Sequence, residues 1–142
     1  MNKIFRIIVA DDDIDDQDLI KLAFADSQVQ VEVNSVYNGL QLMDYLLRKE
    51  AYKNISDPLP DLILLDINMP LMDGFDVLLQ IKKYPSLSAI PLYVLTTSRN
   101  PDHRKKALEL GASGFYSKGA SSKEIRRIVQ EVCLDCFSHL SS

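Results

Sequence analysis

The sequence predicts an α/β fold, in which a doubly wound parallel β-sheet carries helices on both faces. Apolar runs of strand length occur five times, and each is followed by a segment whose apolar residues recur at helical spacing. Strict alternation of strand and helix is typical of a parallel sheet with right-handed crossovers. The chain has 142 residues and is 46% hydrophobic, which suits one globular domain with a substantial core.

Five segments have the composition of strands. The second alternates apolar and polar residues, as expected of a half-exposed strand. The third and fourth are apolar throughout, as expected of strands covered on both faces. In chain order, the predicted strands are residues 4–10, 29–36, 62–65, 92–95 and 115–117.

A predicted helix follows each strand, and the five helices are residues 15–26, 40–49, 75–81, 103–110 and 125–132. Gly111 is expected to end the fourth as a C′ glycine. The third carries the apolar stripe Phe75, Leu78, Leu79 and Ile81. The last has apolar residues at i, i+3, i+4 and i+7, the pattern of a helix with one buried face. These residues are Ile125, Ile128, Val129 and Val132.

The negative charge of the chain is concentrated in one place. The net charge is −4, but six aspartates fall within eight residues with no Lys or Arg between them. They are Asp11, Asp12, Asp13, Asp15, Asp16 and Asp18. A helix start that tolerates acid explains the last four, since carboxylates cap helix N-termini and favour the positive end of the helix dipole. An acidic rim that attracts cations is the alternative for these four.

Composition excludes several classes of protein. A pI near 5.1 argues against nucleic-acid binding. No apolar run approaches the roughly 20 residues of a membrane span, and the N-terminus does not have the pattern of a signal peptide. Two cysteines do not form a disulfide framework, so a cytoplasmic location is expected. Cys133 and Cys136 form a lone C-x-x-C late in the last helix, where buried or idle thiols are expected. His103 is expected to be isolated and exposed.

Charged and hydroxyl side chains stand at the end of four predicted strands. Asp11 and Asp12 follow the first strand, Asp66 the third, Thr96 the fourth and Lys118 the fifth. Ligands of such sheets bind at the carboxyl ends of the strands, so these groups are expected to converge. Each residue alone could be a helix cap, but four strands ending in this way favour a binding site.

Three converging carboxylates predict a cation. Two like charges about 4 Å apart repel by roughly 4 kcal/mol at an effective dielectric of 20, and a single lysine cannot balance three of them. A hard divalent ion with oxygen ligands fits, and Mg²⁺ is the expected one. Asp66 ends the central strand and is the candidate nucleophile toward a phosphoryl group, whose oxygens Thr96 and Lys118 would contact.

Four segments resemble the receiver domain of two-component response regulators: VADDD (9–13), LLDINMPLMDG (64–74), VLTTS (94–98) and GASGFYSKG (111–119). The resemblance covers almost the whole chain, in the family's order and spacing. It implies a flavodoxin-like five-stranded sheet of order 2-1-3-4-5. It also implies that residues 1–142 are a single receiver domain with no output domain and no dedicated substrate turnover.

The resemblance assigns roles to residues of this chain. It implies that Asp66 is the phosphoacceptor and that Asp12 is a direct Mg²⁺ ligand, while Asp11 acts through water. The backbone carbonyl of Asn68 would be a further metal ligand. Thr96 and Lys118 would contact the phosphoryl oxygens. The aromatic switch residue would be Phe115, which turns inward when Thr96 moves toward the phosphate.

The sequence departs from the family pattern after the lysine. The family usually has proline there, with a cis Lys–Pro bond, whereas this chain has Gly119. Either the Lys118–Gly119 bond is cis, at a cost of about 2.5–4 kcal/mol, or it is trans and uses the conformational freedom of glycine. The connection over residues 48–60 is longer than a minimal one. It resembles that of single-domain receivers that partner phytochrome-like histidine kinases.

The resemblance also implies partners. A histidine kinase or phosphotransfer protein would phosphorylate Asp66. The modification would switch a surface formed by the fourth helix, fifth strand and fifth helix, which acts on a downstream protein; whether this face also forms a homodimer stays open. One alternative is a phosphatase of the haloacid-dehalogenase type. Such enzymes need a second aspartate where this chain has Asn68 and an acidic pair after the lysine, which is absent. A degenerate receiver used only for docking is disfavoured by the intact set of site residues.

Overall fold

Five parallel strands form one sheet in the order β2-β1-β3-β4-β5. The structure is a computed structural model that describes residues 4–119 and 121–137. The strands are β1 (Phe5–Ala10), β2 (Val31–Val36), β3 (Leu62–Leu65), β4 (Leu92–Thr96) and β5 (Gly114–Ser117). The predicted strand order is therefore confirmed, and each predicted strand is present within two residues of its expected ends.

Six α-helices connect and flank these strands. They are α1 (Ile14–Ala25), α2 (Gly39–Leu47), α3 (Gly74–Ile81), α4 (Pro85–Ser88), α5 (Pro101–Glu109) and α6 (Ser122–Phe137). The short α4 was not predicted, so the fourth and fifth predicted helices are α5 and α6. Gly111 has φ +108°, the left-handed conformation expected of a glycine that follows a helix. No described helix is long and apolar enough to cross a membrane.

Each face of the sheet has its own apolar core. Because side chains alternate along a strand, Ile8, Ile63 and Val94 point toward α2, α3 and α5. Their neighbours in sequence, such as Ile7 and Leu64, pack against α1 and α6 on the other face. The central strand β3 is buried along its whole length, as its apolar sequence predicts.

The structure corrects one detail of the predicted core. Leu79 was placed on the buried stripe of the third helix, but it is 48% exposed, while Val77, Leu78 and Ile81 are buried. A helix turns by 100° per residue, so Leu78 and Leu79 cannot both occupy the centre of the same face. The buried stripe of α3 therefore runs through Val77, which the spacing argument left out.

The connection between α2 and β3 is tied to the sheet rather than extended into solvent. It contains one 3₁₀ turn, Glu50–Tyr52. Arg48 takes a left-handed conformation and donates a hydrogen bond to the carbonyl oxygen of Asp57. The carboxylate of Asp57 forms an ion pair with Arg6 of β1 at 3.0 Å. The long connection thus packs near the N-terminal ends of the strands, whereas the charged residues follow the C-terminal ends.

Four helices begin at a capping side chain in the loop that follows a strand. The capping residues of α1, α2, α3 and α5 are Asp13, Asn38, Asp73 and Asn100. Each side chain accepts a hydrogen bond from a backbone N–H of the first helical turn, which satisfies a donor that has no partner inside the helix. These caps fix where the helices start, so they also fix the loops that carry the residues at the strand ends.

Candidate functional site

The polar residues that follow the strands lie together at the C-terminal ends of the strands, and most of them are buried. Asp11 is 1% exposed, Asp66 7%, Lys118 5% and Thr96 0%. Charged groups are almost never buried to this extent unless they are paired or bind a metal. The structure thus brings Asp11, Asp66 and Lys118 into direct proximity, as the strand topology predicts.

Three carboxylates form a compact cluster at these strand ends. Asp11, Asp12 and Asp66 each present an oxygen atom, and these atoms lie within 4.8 Å of one another. Asp12 is exposed, which leaves the cluster open to solvent on one side. Asn68, two residues after Asp66, is also exposed, and no described residue donates a hydrogen bond to its carbonyl oxygen. This set of oxygen donors fits a hard divalent cation.

The ammonium group of Lys118 contacts three carboxylates. Its Nζ atom lies 2.5 Å from Oδ2 of Asp11, 2.8 Å from Oδ2 of Asp16 and 3.6 Å from Oδ2 of Asp66. Burial acts to lower the pKa of Lys118, but Asp66, Asp11 and Asp16 together raise it above its ordinary value. The lysine is therefore held as a cation.

The carboxyl of Asp11 ionises less readily than an ordinary aspartate. Burial raises the pKa of the Asp11 carboxyl to about 6, although Lys118 and the backbone N–H of Asp13 act to lower it. The nearby charge of Asp66 adds a smaller increase. A cation bound next to this carboxyl would favour its ionised form.

Asp16 is a contact of Lys118 that the sequence analysis missed. It was assigned to the helix start, and its backbone N–H does donate to Asp13, the capping residue of α1. Its carboxylate, however, reaches across to Lys118, which is 102 residues away in sequence. The position of Asp16 in the first helical turn after β1 could have indicated this contact, because that turn and the end of β5 lie at the C-terminal ends of the strands.

Buried Gln17 holds the end of β1 in place. The two N–H groups of its side-chain amide are shared among the carbonyl oxygens of Val9, Asp11 and Val36, which lie 2.9 to 3.1 Å from Nε2. These bonds connect α1 to the backbone of both β1 and β2 just where Asp11 leaves the sheet. Gln17 therefore orients the backbone that carries the carboxylate cluster, and the sequence analysis did not single it out.

The loop after Asp66 is held by backbone contacts. Oδ1 of Asp66 accepts a hydrogen bond of 2.7 Å from the N–H of Ile67. The N–H of Gly74, at the start of α3, donates to the carbonyl oxygen of Ile67. Between them, Leu71 has φ +68° and is 80% exposed. The side chain of Asp66 is therefore oriented, with Oδ1 occupied and Oδ2 facing Lys118.

The segment after β4 connects the site to α5. Oγ1 of Thr96 accepts a hydrogen bond from the N–H of Ser98 at 3.3 Å. The hydroxyl of Ser98 lies 2.6 Å from Nδ1 of His103, whose ring packs edge-on against Phe75. His103 is therefore half-buried and partnered, so the expectation of an isolated, exposed histidine is wrong.

Phe115 lies inside the core rather than on the surface. It is 7% exposed and packs within the cluster on the side of α2, α3 and α5. Its carbonyl oxygen accepts a hydrogen bond of 3.2 Å from Arg104 of α5. The aromatic ring that the family resemblance assigns to the switch is thus turned inward in this structure.

The structure resolves the conformation after Lys118. The described residues contain no cis peptide bond, so the Lys118–Gly119 bond is trans, and Gly119 does not have a positive φ. Glycine is needed here for space, because a Cβ atom at this position would lie 2.3 Å from Cγ of Glu124. Of the two alternatives, the trans bond is correct. Gly119 allows close packing onto α6, and it does not adopt a left-handed backbone conformation.

The two cysteines lie away from this site. Cys133 and Cys136 are free thiols that pack into the core beneath α6. Burial raises the pKa of each thiol to about 11. Thiols that resist ionisation are poor nucleophiles and poor metal ligands, and the expectation that both are buried is confirmed.

The site and fold agree with what sequence comparison finds. The family model described as the response regulator receiver domain matches residues 7–130. The chain belongs to this family. It is similar to the response regulator Rcp1 of Synechocystis sp., with 35% identity over 126 residues that make up 89% of this chain and 84% of Rcp1. Membership of the receiver family displaces the haloacid-dehalogenase alternative.

Two solved structures of cyanobacterial relatives share the fold closely. The phosphorylated cyanobacterial phytochrome response regulator RcpA superimposes with a TM-score of 0.89 and 36% identity, over 96% of both chains. The Mn²⁺-bound form of Rcp1 gives a TM-score of 0.84 and 34% identity, over 92% of both chains. The flavodoxin-like receiver fold and the likeness to phytochrome response regulators, both expected from the sequence motifs, are confirmed.

Proposed function

We propose that this protein is a phosphoacceptor response regulator. A histidine kinase or a phosphotransfer protein donates a phosphoryl group to Asp66, and the modification switches a protein-interaction surface. One observation carries the proposal: the buried carboxylate of Asp66 lies beside an ammonium group and within a cluster of oxygen donors. This is the charge arrangement that phosphoryl transfer requires, since the reaction depends on positioning and on charge stabilisation.

The carboxylates of Asp11, Asp12 and Asp66 and the backbone carbonyl of Asn68 are the groups that would hold Mg²⁺. Their number and hardness suit this ion, and the Mn²⁺-bound form of Rcp1 supports a divalent cation in a relative. When bound, Mg²⁺ supplies positive charge for the phosphoryl oxygens. Asp12 is exposed and hence accessible to a hydrated ion, whereas Asp11 is buried against Lys118.

The acceptor atom is Oδ2 of Asp66. Oδ1 is occupied by the N–H of Ile67, whereas Oδ2 faces Lys118 at 3.6 Å. Oδ2 attacks the phosphorus of a phosphohistidine, the bond between phosphorus and the imidazole nitrogen breaks, and the imidazole leaves with the electron pair of that bond. Lys118 pairs with one phosphoryl oxygen, and the hydroxyl of Thr96 donates to another once it turns from Ser98 toward the acceptor.

Phosphorylation would reach the surface through β4 and β5. Lys118 and Thr96 are linked by a backbone hydrogen bond of 2.6 Å, and Phe115 lies three residues before Lys118 on β5. A shift of Thr96 toward the phosphoryl group would therefore favour the inward position of Phe115, which this structure already has. The affected surface is the face of α5, β5 and α6, where a downstream protein or a second copy of the chain would bind.

Similarity to phytochrome response regulators supports a particular kind of donor. RcpA and Rcp1 match over nearly all of the chain. We infer that the cognate kinase is a phytochrome-like histidine kinase, and that the protein acts in the cytoplasm through its receiver domain. On this account it assists its own phosphorylation and dephosphorylation but turns over no separate substrate.

Acetyl phosphate with Mg²⁺ tests the acceptor assignment. The wild-type protein is expected to gain one hydroxylamine-labile phosphoryl group, as detected by intact mass. Asp66→Asn is expected to gain none, and Asp18→Asn, in the exposed part of the acidic window, is expected to behave as wild type. Labelling of Asp66→Asn to the wild-type level would disprove the proposal, as would the absence of labelling in the wild type.

A further inference from the structure

The carboxylate of Asp16 contacts Lys118 but does not belong to the cation cluster. The cluster consists of Asp11, Asp12 and Asp66, whereas Asp16 lies on the first turn of α1. Its Oδ2 atom is 2.8 Å from Nζ of Lys118, closer than Oδ2 of Asp66 at 3.6 Å. Asp16 is thus a short-range partner of the lysine that has no place among the predicted metal ligands.

Asp16 is held in position by a closed circuit of hydrogen bonds. The N–H of Asp13 donates to Oδ1 of Asp11, and the N–H of Asp16 donates to Oδ1 of Asp13. Lys118 then donates to Oδ2 of Asp16 and to Oδ2 of Asp11, which closes the circuit. The bond from its N–H to Asp13 fixes the backbone of Asp16 in the first turn of α1, from which its carboxylate reaches the ammonium group.

Asp11 and Asp16 differ in what else they must do. The carboxylate of Asp11 pairs with Lys118 and also belongs to the cation cluster, so these two uses compete for the same oxygens. The carboxylate of Asp16 forms an ion pair with Lys118 alone among the described residues. An ammonium group has three donors, and with one on Asp11 and one on Asp16 the third stays available for Asp66 or a phosphoryl oxygen.

The backbone of Lys118 is fixed by its hydrogen bond to Thr96, so its long side chain depends on side-chain partners for its position. The lysine side chain is a flexible four-carbon stem. The loop after it lacks the family's cis proline and instead passes through trans Lys118–Gly119 to pack on Glu124. The side chain of Asp16, 21% exposed, provides the restraint from the other side of the site.

We propose that Asp16 is a positioning residue, which holds the ammonium group of Lys118 over the acceptor oxygen of Asp66 during phosphoryl transfer. The inference rests on the proposed function. If Asp16 only stabilised the start of α1, Asp15 in the same turn could take its place. The inference gives Asp16 a role that Asp15 does not share. Asp16 acts on the rate of transfer through Lys118 and makes no contact with the phosphoryl group itself.

Asp15 provides a matched control. It carries the same charge in the same helical turn, but it is exposed and forms no ion pair among the described residues. With acetyl phosphate at saturating Mg²⁺, Asp16→Asn is expected to lower the maximal phosphorylation rate constant by about tenfold, since a hydrogen bond to a charged group contributes at least this much. The concentration of acetyl phosphate at half-maximal rate is expected to stay unchanged. Asp15→Asn is expected to change the rate by less than about twofold.

A double-mutant cycle separates positioning from capping. In a Lys118→Met background, Asp16→Asn is expected to have little further effect on the residual rate, because the partner that it positions is absent. The free energy of unfolding without Mg²⁺ is expected to show the same coupling between the two positions. Asp16→Glu keeps the charge in the first turn of α1, and it is expected to recover part of the rate.

The outcomes distinguish this inference from the proposed function. If Asp66→Asn and Lys118→Met abolish or reduce labelling while Asp16→Asn matches wild type, the positioning role is wrong and the acceptor assignment stands. Equal losses in Asp15→Asn and Asp16→Asn would also overturn it, since they would point to general charge. If Asp66→Asn labels normally, the proposed function itself fails.

Discussion

A Cβ atom added to Gly74 would lie 2.6 Å from the carbonyl oxygen of Asp66 and 2.8 Å from the Cα atom of Ile67. The start of α3 therefore rests directly on the backbone that presents Asp66, the proposed phosphoacceptor. Both contacts involve backbone atoms, which cannot move aside as the end of a flexible side chain can. Gly74 is thus required by the close approach of the helix to the site loop.

We expect Gly74→Ala to destabilise the protein by about 1–3 kcal/mol, the usual cost of overpacking a rigid environment. The higher helix propensity of alanine offsets only part of this cost. Urea unfolding measures the change, and phosphorylation by acetyl phosphate should slow in the same variant because the loop of Asp66 shifts. A Gly74→Ala protein with wild-type stability would show that the loop accommodates the methyl group.

Asp12 is expected to contribute to cation binding and little to folding. It is exposed, whereas Asp11 and Asp66 are buried beside Lys118. Asp12→Ala should weaken Mg²⁺ binding at least about tenfold, the loss typical of a direct ligand or its close support. Thermal unfolding over a Mg²⁺ titration measures this, because a ligand of the native state raises the melting temperature. Asp18→Ala should retain the wild-type dependence, and an unchanged dependence in Asp12→Ala would rule out the ligand assignment.

The buried thiols give a prediction about pH. Burial raises the pKa of Cys133 and Cys136 from 9.0 to about 11. Above pH 9.0 the thiols of the unfolded chain lose their protons, while those of the folded protein keep them. The contribution of the two thiols to the free energy of unfolding is therefore fully present below pH 9.0 and declines as the pH rises toward about 11.

Alkylation by iodoacetamide at pH 9.0 tests the state of the thiols directly. Native protein should react at least about tenfold more slowly than protein in urea, because few of its thiols are ionised. Single Cys133→Ser and Cys136→Ser variants assign the reaction to each residue. Equal rates in native and unfolded protein would contradict the burial of the thiols.

Gln17 is expected to stabilise the junction of α1 with β1 and β2. Gln17→Leu keeps a similar volume but removes the amide that donates to the buried carbonyl oxygens of Val9, Asp11 and Val36. The expected cost is about 1 kcal/mol, because Val36 keeps the N–H of Asp11 as a donor and the variant also removes the buried Oε1 of Gln17, which has no partner among the described residues. Urea unfolding should show this loss for Gln17→Leu and almost none for Gln130→Leu, an exposed glutamine of α6.

Local patterns were sufficient to predict most of the fold. The apolar run of residues 62–65 matches β3 because a strand buried on both faces needs no polar residue. The ends of the strands in turn located Asp11, Asp66 and Lys118, since strands that run parallel bring their carboxyl ends together.

Contacts between distant segments were not predictable in the same way. The pairing of Asp16 with Lys118 depends on how α1 lies relative to the end of β5, and periodicity carries no information about this. The half-buried state of His103 likewise depends on Ser98 and Phe75, which belong to two other segments. Leu79 was misplaced because the spacing of three apolar neighbours allows more than one choice of buried face.

The circuit through Asp11, Asp13, Asp16 and Lys118 joins parts of the sheet that are not neighbours. β1 and β5 are separated in the sheet by β3 and β4, so Lys118 reaches its carboxylate partners only when all four strands are in register. A ribosome-bound or partly folded chain therefore has the acidic residues but not the cation that balances them. The site is therefore complete only once contacts between the most distant parts of the chain have formed, and such contacts are the slow ones in folding.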